Sequence, residues 1–213
     1  MQVGVLGGTG PAGRGLAVRA ASAGHDVRIG SRDEARAGAV AAELRGGSGL
    51  GVTGATNEAA ATAELVVVAT PWDAVVATVR PLAPALSGKV VVSMVNALVK
   101  QGREMVALIP PRGSMAAELQ AALPGSSVTA ALHHLPASMM EDLGSDLVAD
   151  VLVCGDDAEA RRTTCEFIDT IAGLRAIEVG SLSQAGPIES FTAACITVNI
   201  RHKVHTTVLL GGI

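Results

Sequence analysis

Gly8, Gly10 and Gly13 form a G-x-G-x-x-G run directly after the apolar segment Gln2–Leu6. The chemistry that suits such a run is the binding of a dinucleotide pyrophosphate. The first glycine permits a tight turn, the second lets backbone approach the phosphates, and the third lets a helix pack closely on a strand. A helix opening at that point offers free N–H groups and the positive end of its dipole. The sequence predicts that helix over residues 15–21 and a second strand over residues 26–29.

The residues after the second strand bear on the choice of dinucleotide. NAD sites place Asp or Glu there for the ribose 2′-hydroxyl, whereas an arginine nearby accommodates a 2′-phosphate. Here the run is Gly30-Ser31-Arg32-Asp33-Glu34-Ala35-Arg36. Gly30 carries no carboxylate, Ser31 offers a hydroxyl and Arg32 a planar fork of donors. Arg36 stands one helical turn on and adds charge. Asp33 and Glu34 suit the first turn of a following helix. The expectation is NADP(H) over NAD, with Arg32 as a merely solvated helix-start residue as the plain alternative.

Further reactive types follow other expected strands. Trp72, the sole tryptophan, could pack on a cofactor, or it could anchor the next helix. His133 and His134 are adjacent before Pro136. As an acid/base pair they would signal a carbonyl reductase; as hydrogen-bonding groups they would orient a bound heterocycle. The plain alternative packs one ring into the sheet and turns the other to solvent. His202 and His205 have a spacing open to a metal, but no carboxylate or cysteine accompanies them, so no metal is expected. Asp156-Asp157 read as helix caps. With no tyrosine, and lysine only at 89, 100 and 203, the chain lacks the usual proton donors of carbonyl reductases. Hydride passed between two redox cofactors needs mainly alignment and exclusion of water.

The elements that must position these groups alternate. Strands are expected at 50–53, 64–69, 89–93, 127–132, 150–154 and 174–179. Helices are expected at 57–63, with a cap residue at its start, and at 73–80, 114–123 and 158–172. A long, mostly apolar helix is expected from about 184 to 208. The most loop-like stretches are 46–51, 109–113 and 142–146. The alternation predicts an α/β fold, a doubly wound parallel sheet of Rossmann type with a small C-terminal extension ending in the apolar helix. Such sheets bind ligands outside the carboxyl ends of their strands. That rule brings the glycine loop, Ser31-Arg32, residues 70–72, residues 94–96 and residues 133–137 to one crevice.

Composition sets bounds. The 213 residues are 49% hydrophobic and 17% charged, enough for a sizeable core. Trp72, Phe167 and Phe191 are the only aromatics, so that core must be aliphatic. The lack of stacking residues and the net charge of −4 argue against a nucleic-acid partner. No membrane span or signal peptide is expected. Cys154, Cys165 and Cys195 read as buried thiols of a cytoplasmic protein.

The chain also resembles the NADPH-dependent coenzyme F420 reductases, or 8-hydroxy-5-deazaflavin:NADP oxidoreductases. The shared pieces run end to end: GGTG-x-x-G-x-G at 7–15, GH at 24–25, GSR at 30–32, PW at 71–72, ALH-x-x-PA at 131–137, VCGDD at 153–157, GLR at 173–175 and ES-x-T at 189–192. The resemblance implies hydride transfer between NADP(H) and F420. It implies that Thr9, Gly10, Pro11 and Ala12 cradle phosphates, that Ser31, Arg32 and Arg36 meet the 2′-phosphate, and that Trp72 and Ala137 lie by the nicotinamide. It places His133, Leu135 and Val208 at the deazaflavin, His133 and His134 orienting rather than catalysing. His134 and residues 94–96 depart from the family pattern. Residues 1–137 are expected to form the NADP-binding domain and 138–213 to complete the acceptor pocket. The apolar last helix predicts a homodimer. An imine or ketone reductase and a non-catalytic NADP(H) sensor are the alternative functions.

Overall fold

The computed structural model describes residues 1–46 and 49–213. Residues 47 and 48, inside the loop expected at 46–51, lie outside the described residues. One sheet of eight strands organises the molecule. In chain order the strands are β1 (Gln2–Leu6), β2 (Asp26–Ser31), β3 (Val52–Thr56), β4 (Leu65–Val68), β5 (Val90–Ser93), then β8 (Ser127–Ala130), β9 (Ala149–Gly155) and β10 (Leu174–Glu178). A separate antiparallel hairpin pairs β6 (Leu98–Gln101) with β7 (Glu104–Ala107). The helices are α1 (Pro11–Ser22), α2 (Glu34–Arg45), α3 (Asn57–Ala60), α4 (Val75–Val79), α5 (Ala83–Leu86), α6 (Met115–Ala122), α7 (Ala137–Glu141), α8 (Ala158–Asp169) and α9 (Ala185–His202).

The sheet order is β10-β9-β8-β5-β4-β1-β2-β3. Six neighbouring strands, β3 through β8, are parallel, as the alternation predicts. The last two depart from it. β9 runs antiparallel to β8, with Ala130 opposite Cys154, and β10 runs parallel to β9. The start of β9, not its end, therefore lies at the ligand end of the sheet. A continuous apolar run fits a buried strand of either direction, so the reversal has no signature in composition.

The core is aliphatic on both faces of the sheet, and Phe167 is its one fully buried aromatic ring. Trp72 and Phe191 are exposed. Of the cysteines only Cys154 is buried; Cys165 and Cys195 are half-buried, contrary to expectation, and all three are free thiols. No helix among the described residues is long and apolar enough to cross a membrane.

Several local expectations need correction. Helix α1 begins at Pro11, four residues before the expected start, because proline at the first helical position loses no hydrogen bond. Thr56 caps α3 by accepting from the Ala59 N–H, so Asn57, the expected cap, is free for another task. Asp33 caps α2 and Asp157 caps α8, as their types suggest. Helix α9 stops at His202 rather than near 208. Lys203 turns left-handed at φ 55°, and the Asn199 side chain accepts from the Thr206 N–H at 2.8 Å. Thr206, Thr207 and Val208 are β-branched and extend more readily than they coil. The hairpin β6–β7 stands where the sequence predicts no strand, and the Thr197 hydroxyl of α9 accepts from its Met105 N–H.

Candidate functional site

The loop between β1 and α1 is built by contact as much as by turn geometry. Gly7, at φ 69°, makes the turn that the pattern assigns to Gly8, and a Cβ there would lie 2.6 Å from Thr70 Cγ2. Gly8 is required by packing instead: its Cβ would meet Ile29 and the Val5 carbonyl at 2.9 Å. A Cβ on Gly13 would lie 2.6 Å from the Gly8 Cα, so α1 can seat against the loop only without one. At Gly10 the nearest atom is 3.8 Å away, which leaves room above the loop for a ligand's phosphates. The first turn of α1 carries no side-chain cap and no acidic residue, so its N–H groups face that room.

Asn57, whose type suggests a helix cap, is instead buried, and its Oδ1 accepts from the Gly7 N–H at 3.2 Å. A cavity of about 210 Å³ opens over this loop. Thr9 and Gly10 line it from one side, Ser31, Arg32 and Arg36 from another, and Thr70 and Pro71 from a third. The Ser31 Oγ accepts from the Asp33 N–H at 3.1 Å, which leaves its O–H free to donate. Arg32 and Arg36 are exposed, and neither guanidinium has an ion-pair or hydrogen-bond partner among the described residues. The Asp33 carboxylate accepts from the Arg36 N–H and is thereby held as a helix cap. This donor set fits a 2′-phosphate.

A second cavity of about 480 Å³ adjoins the same loop through Pro11 and Ala12. His133, His134, Leu135 and Ala137 line one wall; Thr192 and Cys195 of α9 line another. Its size lies within the ordinary range for an organic cofactor. Asn96, Ser138, Asn199 and His205 complete it. The sequence reading did not place Ser138, Cys195, Asn199 or His205 there. It singled out Thr192 only as part of a motif. Cys195 and Asn199 come from α9, His205 from the segment after it, and Ser138 from the first turn of α7.

The wall is anchored from behind. Arg19 of α1 is buried, and its guanidinium donates to the carbonyls of Met140, Met139 and Asp142 at 3.1, 2.8 and 2.6 Å. That fixes the end of α7, and with it Pro136 and Ala137. Gly15 lets α7 close on α1, since a Cβ there would meet Met140 Cβ at 2.6 Å.

Both histidines are buried at 4% exposure, so neither turns to solvent. His133 Nδ1 lies 3.1 Å from Asn96 Oδ1. His134 Nε2 lies 2.7 Å from the Asp150 carbonyl oxygen, which only accepts, so that nitrogen carries the proton. Burial, reinforced by His134, holds the His133 imidazole down to about 3, and burial lowers His134 as well. Burial likewise raises the Cys195 thiol. The buried titratable groups of this wall, His133, His134 and Cys195, are therefore held neutral. Among the described residues no carboxylate or lysine lines the cavity, and its remaining histidine, His205, is exposed, with Nδ1 3.3 Å from the Ser138 hydroxyl. The two buried histidines are suited to orienting a ring and poorly suited to proton transfer near neutral pH.

Two expected contacts lie apart from these cavities. Trp72 is 39% exposed and lines neither. Val208 lies one step behind the second: its carbonyl accepts from the Asp150 N–H at 2.8 Å. The Asp150 carboxylate in turn takes Arg175 at 2.6 and 2.8 Å and the Leu210 N–H at 2.5 Å. Arg175 holds that carboxyl down to about 2. His202 and His205 gather no further ligand: no group of three or more potential metal-binding side chains occurs among the described residues.

A Rossmann-type sheet with a glycine loop, two arginines at the end of β2 and an adjoining cavity is the arrangement of a dinucleotide-binding oxidoreductase. The family model described as NADP oxidoreductase, coenzyme F420-dependent, matches residues 2–97. The F420-dependent NADP reductase of Methanocaldococcus jannaschii is 33% identical over 95% of this chain and 94% of its own length. That of Methanothermobacter thermautotrophicus is 36% identical over 96% and 91%. A solved structure from Arthrobacter sp. FB24, provisionally described as an F420-dependent NADP reductase, superposes with a TM-score of 0.83 at 27% identity, covering 99% of this chain and 100% of that one. The chain belongs to the F420-dependent NADP reductase family.

Proposed function

We propose that this chain transfers a hydride between NADP(H) and the deazaflavin coenzyme F420. The observation that carries the reading is the cavity beside the phosphate loop, which has room for a ring and whose two buried histidines are held neutral. When both are bound, the nicotinamide and the deazaflavin supply the hydride chemistry between themselves. The protein's part is alignment and exclusion of water. Thr9, Gly10, Pro11 and Ala12 hold the phosphates, and Ser31, Arg32 and Arg36 hold the 2′-phosphate. Ala137 and Trp72 stand on the nicotinamide side, and Trp72 must turn inward to touch it. His133, His134 and Leu135 set the acceptor ring, with Val208 backing that wall. Residues 1–137 serve NADP(H) and residues 138–213 complete the acceptor side. No metal takes part.

With NADPH deuterated on its donated face, the label is expected at C5 of the reduced deazaflavin by mass spectrometry. Label found in solvent, or no reduction at all, refutes the reading.

The working unit on this reading is a cytoplasmic homodimer. Phe191 and Val198 of α9 are exposed large apolar side chains, and Leu108 and Ile109 follow the hairpin that packs on α9. Sedimentation velocity should show a dimer, and Phe191→Glu should shift it towards monomer. A native protein that stays monomeric at high concentration sinks the assembly.

A further inference from the structure

We propose that Asn96 is a positioning residue that fixes His133 as its Nδ1–H tautomer, so that a bare Nε2 lone pair meets the acceptor ring. The inference deepens the reading of the second cavity as the acceptor site and rests on it.

The Asn96 side chain favours one assignment, beside a Val95 backbone carbonyl that also acts on the ring. The Asn96 amide nitrogen donates to the His133 carbonyl oxygen at 3.0 Å. A carbonyl accepts only, so the amide cannot be flipped, and Oδ1 is the atom facing the ring. That oxygen lies 3.1 Å from His133 Nδ1 and also accepts only, so the ring nitrogen must carry the hydrogen. One neutral imidazole has one N–H; Nε2 is left as a lone pair. Nε2 is buried and has no hydrogen-bond partner among the described residues, while the ring lines the cavity. A buried acceptor without a partner is a place where a ligand's donor belongs.

The same clamp holds the turn that presents the ring. Leu132, immediately before His133, sits at φ 68°, a conformation uncommon for a bulky residue. Asn96 bonds both the backbone and the side chain of the next residue, so ring position and tautomer are fixed together. The site then favours an acceptor whose ring edge presents an N–H or O–H, and disfavours one that presents a lone pair. The 8-hydroxyl and the pyrimidine N–H of a hydroxylated deazaflavin both satisfy this.

The test combines ¹⁵N-histidine NMR with kinetics. The His133 signals are assigned by their loss in His133→Gln, and the spectrum is read with no acceptor present. In the native protein Nδ1 should be protonated and Nε2 bare. In Asn96→Ala the Nε2–H tautomer should appear, with KM for the deazaflavin raised about tenfold, kcat within about twofold and Kd for NADPH unchanged, the pattern of lost acceptor binding without lost chemistry. Asn96→Asp places a carboxylate against Nδ1 and draws a second proton onto the ring. Nε2 then becomes a donor, and KM should rise at least as far. An unchanged tautomer in both variants overturns the proposal, whatever happens to KM. So does an altered tautomer with unchanged KM. If native protein fails to reduce the deazaflavin, the functional reading falls separately, and the NMR arm still decides whether Asn96 sets the tautomer.

Discussion

Replacing Arg32 with alanine should weaken NADPH binding about 10- to 150-fold, the equivalent of the ~1.5–3 kcal/mol of a hydrogen bond to a charged group. NADH binding should barely change. The asymmetry follows from where the charges stand. Arg32 and Arg36 face the first cavity without partners among the described residues, so neither is drawn away from a ligand. Ser31 Oγ already accepts the Asp33 N–H and has only its proton left to give, which suits an anion. Neither Asp33 nor Glu34 lines that cavity, and Asp33 is committed to capping α2. Arg36 remains in the variant, which keeps the loss short of complete. Fluorescence titration with both dinucleotides measures it. Equal affinity of the native protein for NADPH and NADH, or an equal drop for both in the variant, removes the 2′-phosphate assignment.

The parts legible in the sequence are those whose reasons are local. The strand, glycine loop and helix of residues 2–22 could be read because each glycine answers a contact within the unit or with the adjoining strands. Even there the turn fell to Gly7, since the pattern cannot tell a glycine needed for φ from one needed for space. The five segments at the strand ends do come to one side, because the parallel order of β3 to β8 forces them there. What stayed hidden depends on partners distant in the chain. Asn57 looked like a cap because asparagine commonly is one, and only its bond to Gly7 shows its task. Arg19 looked like one more helix residue, but it holds carbonyls more than a hundred positions away. The end of α9 is set by Asn199 and by the pairing of Val208 with Asp150, neither visible in an apolar run. The neutrality of the histidines is likewise a property of burial, and the sequence alone left the acid/base reading open.

That burial has a thermodynamic consequence, and it sets the second large effect. The His133 imidazole falls from an unfolded value near 6.5 to about 3 in the folded protein. The unfolded chain then binds the extra proton first on acidification. Stability contributed by keeping this ring neutral is full above pH about 6.5 and is lost as pH falls towards the folded value, at ~1.4 kcal/mol per pH unit. His25 and His134 are lowered by burial too and add in the same direction. Glu189 opposes them. Its two oxygens accept from the Met115 and Ala116 N–H groups at the start of α6, yet burial pushes its carboxyl up to about 7. A raised carboxyl favours the folded state at low pH and loses that contribution as pH rises through about 7. Between pH 6.5 and 5 three histidines thus act against one carboxyl, and the native protein should lose stability overall. His133→Gln isolates the largest contribution, because glutamine has nothing to protonate. Relative to the variant, the native protein should lose ~2 kcal/mol of unfolding free energy between pH 6.5 and 5, read from urea midpoints at each pH. Parallel curves for the two proteins would mean that His133 titrates alike in the folded and unfolded chains. The neutral acceptor wall would then have to be given up, and with it the argument that this site orients rings rather than moving protons.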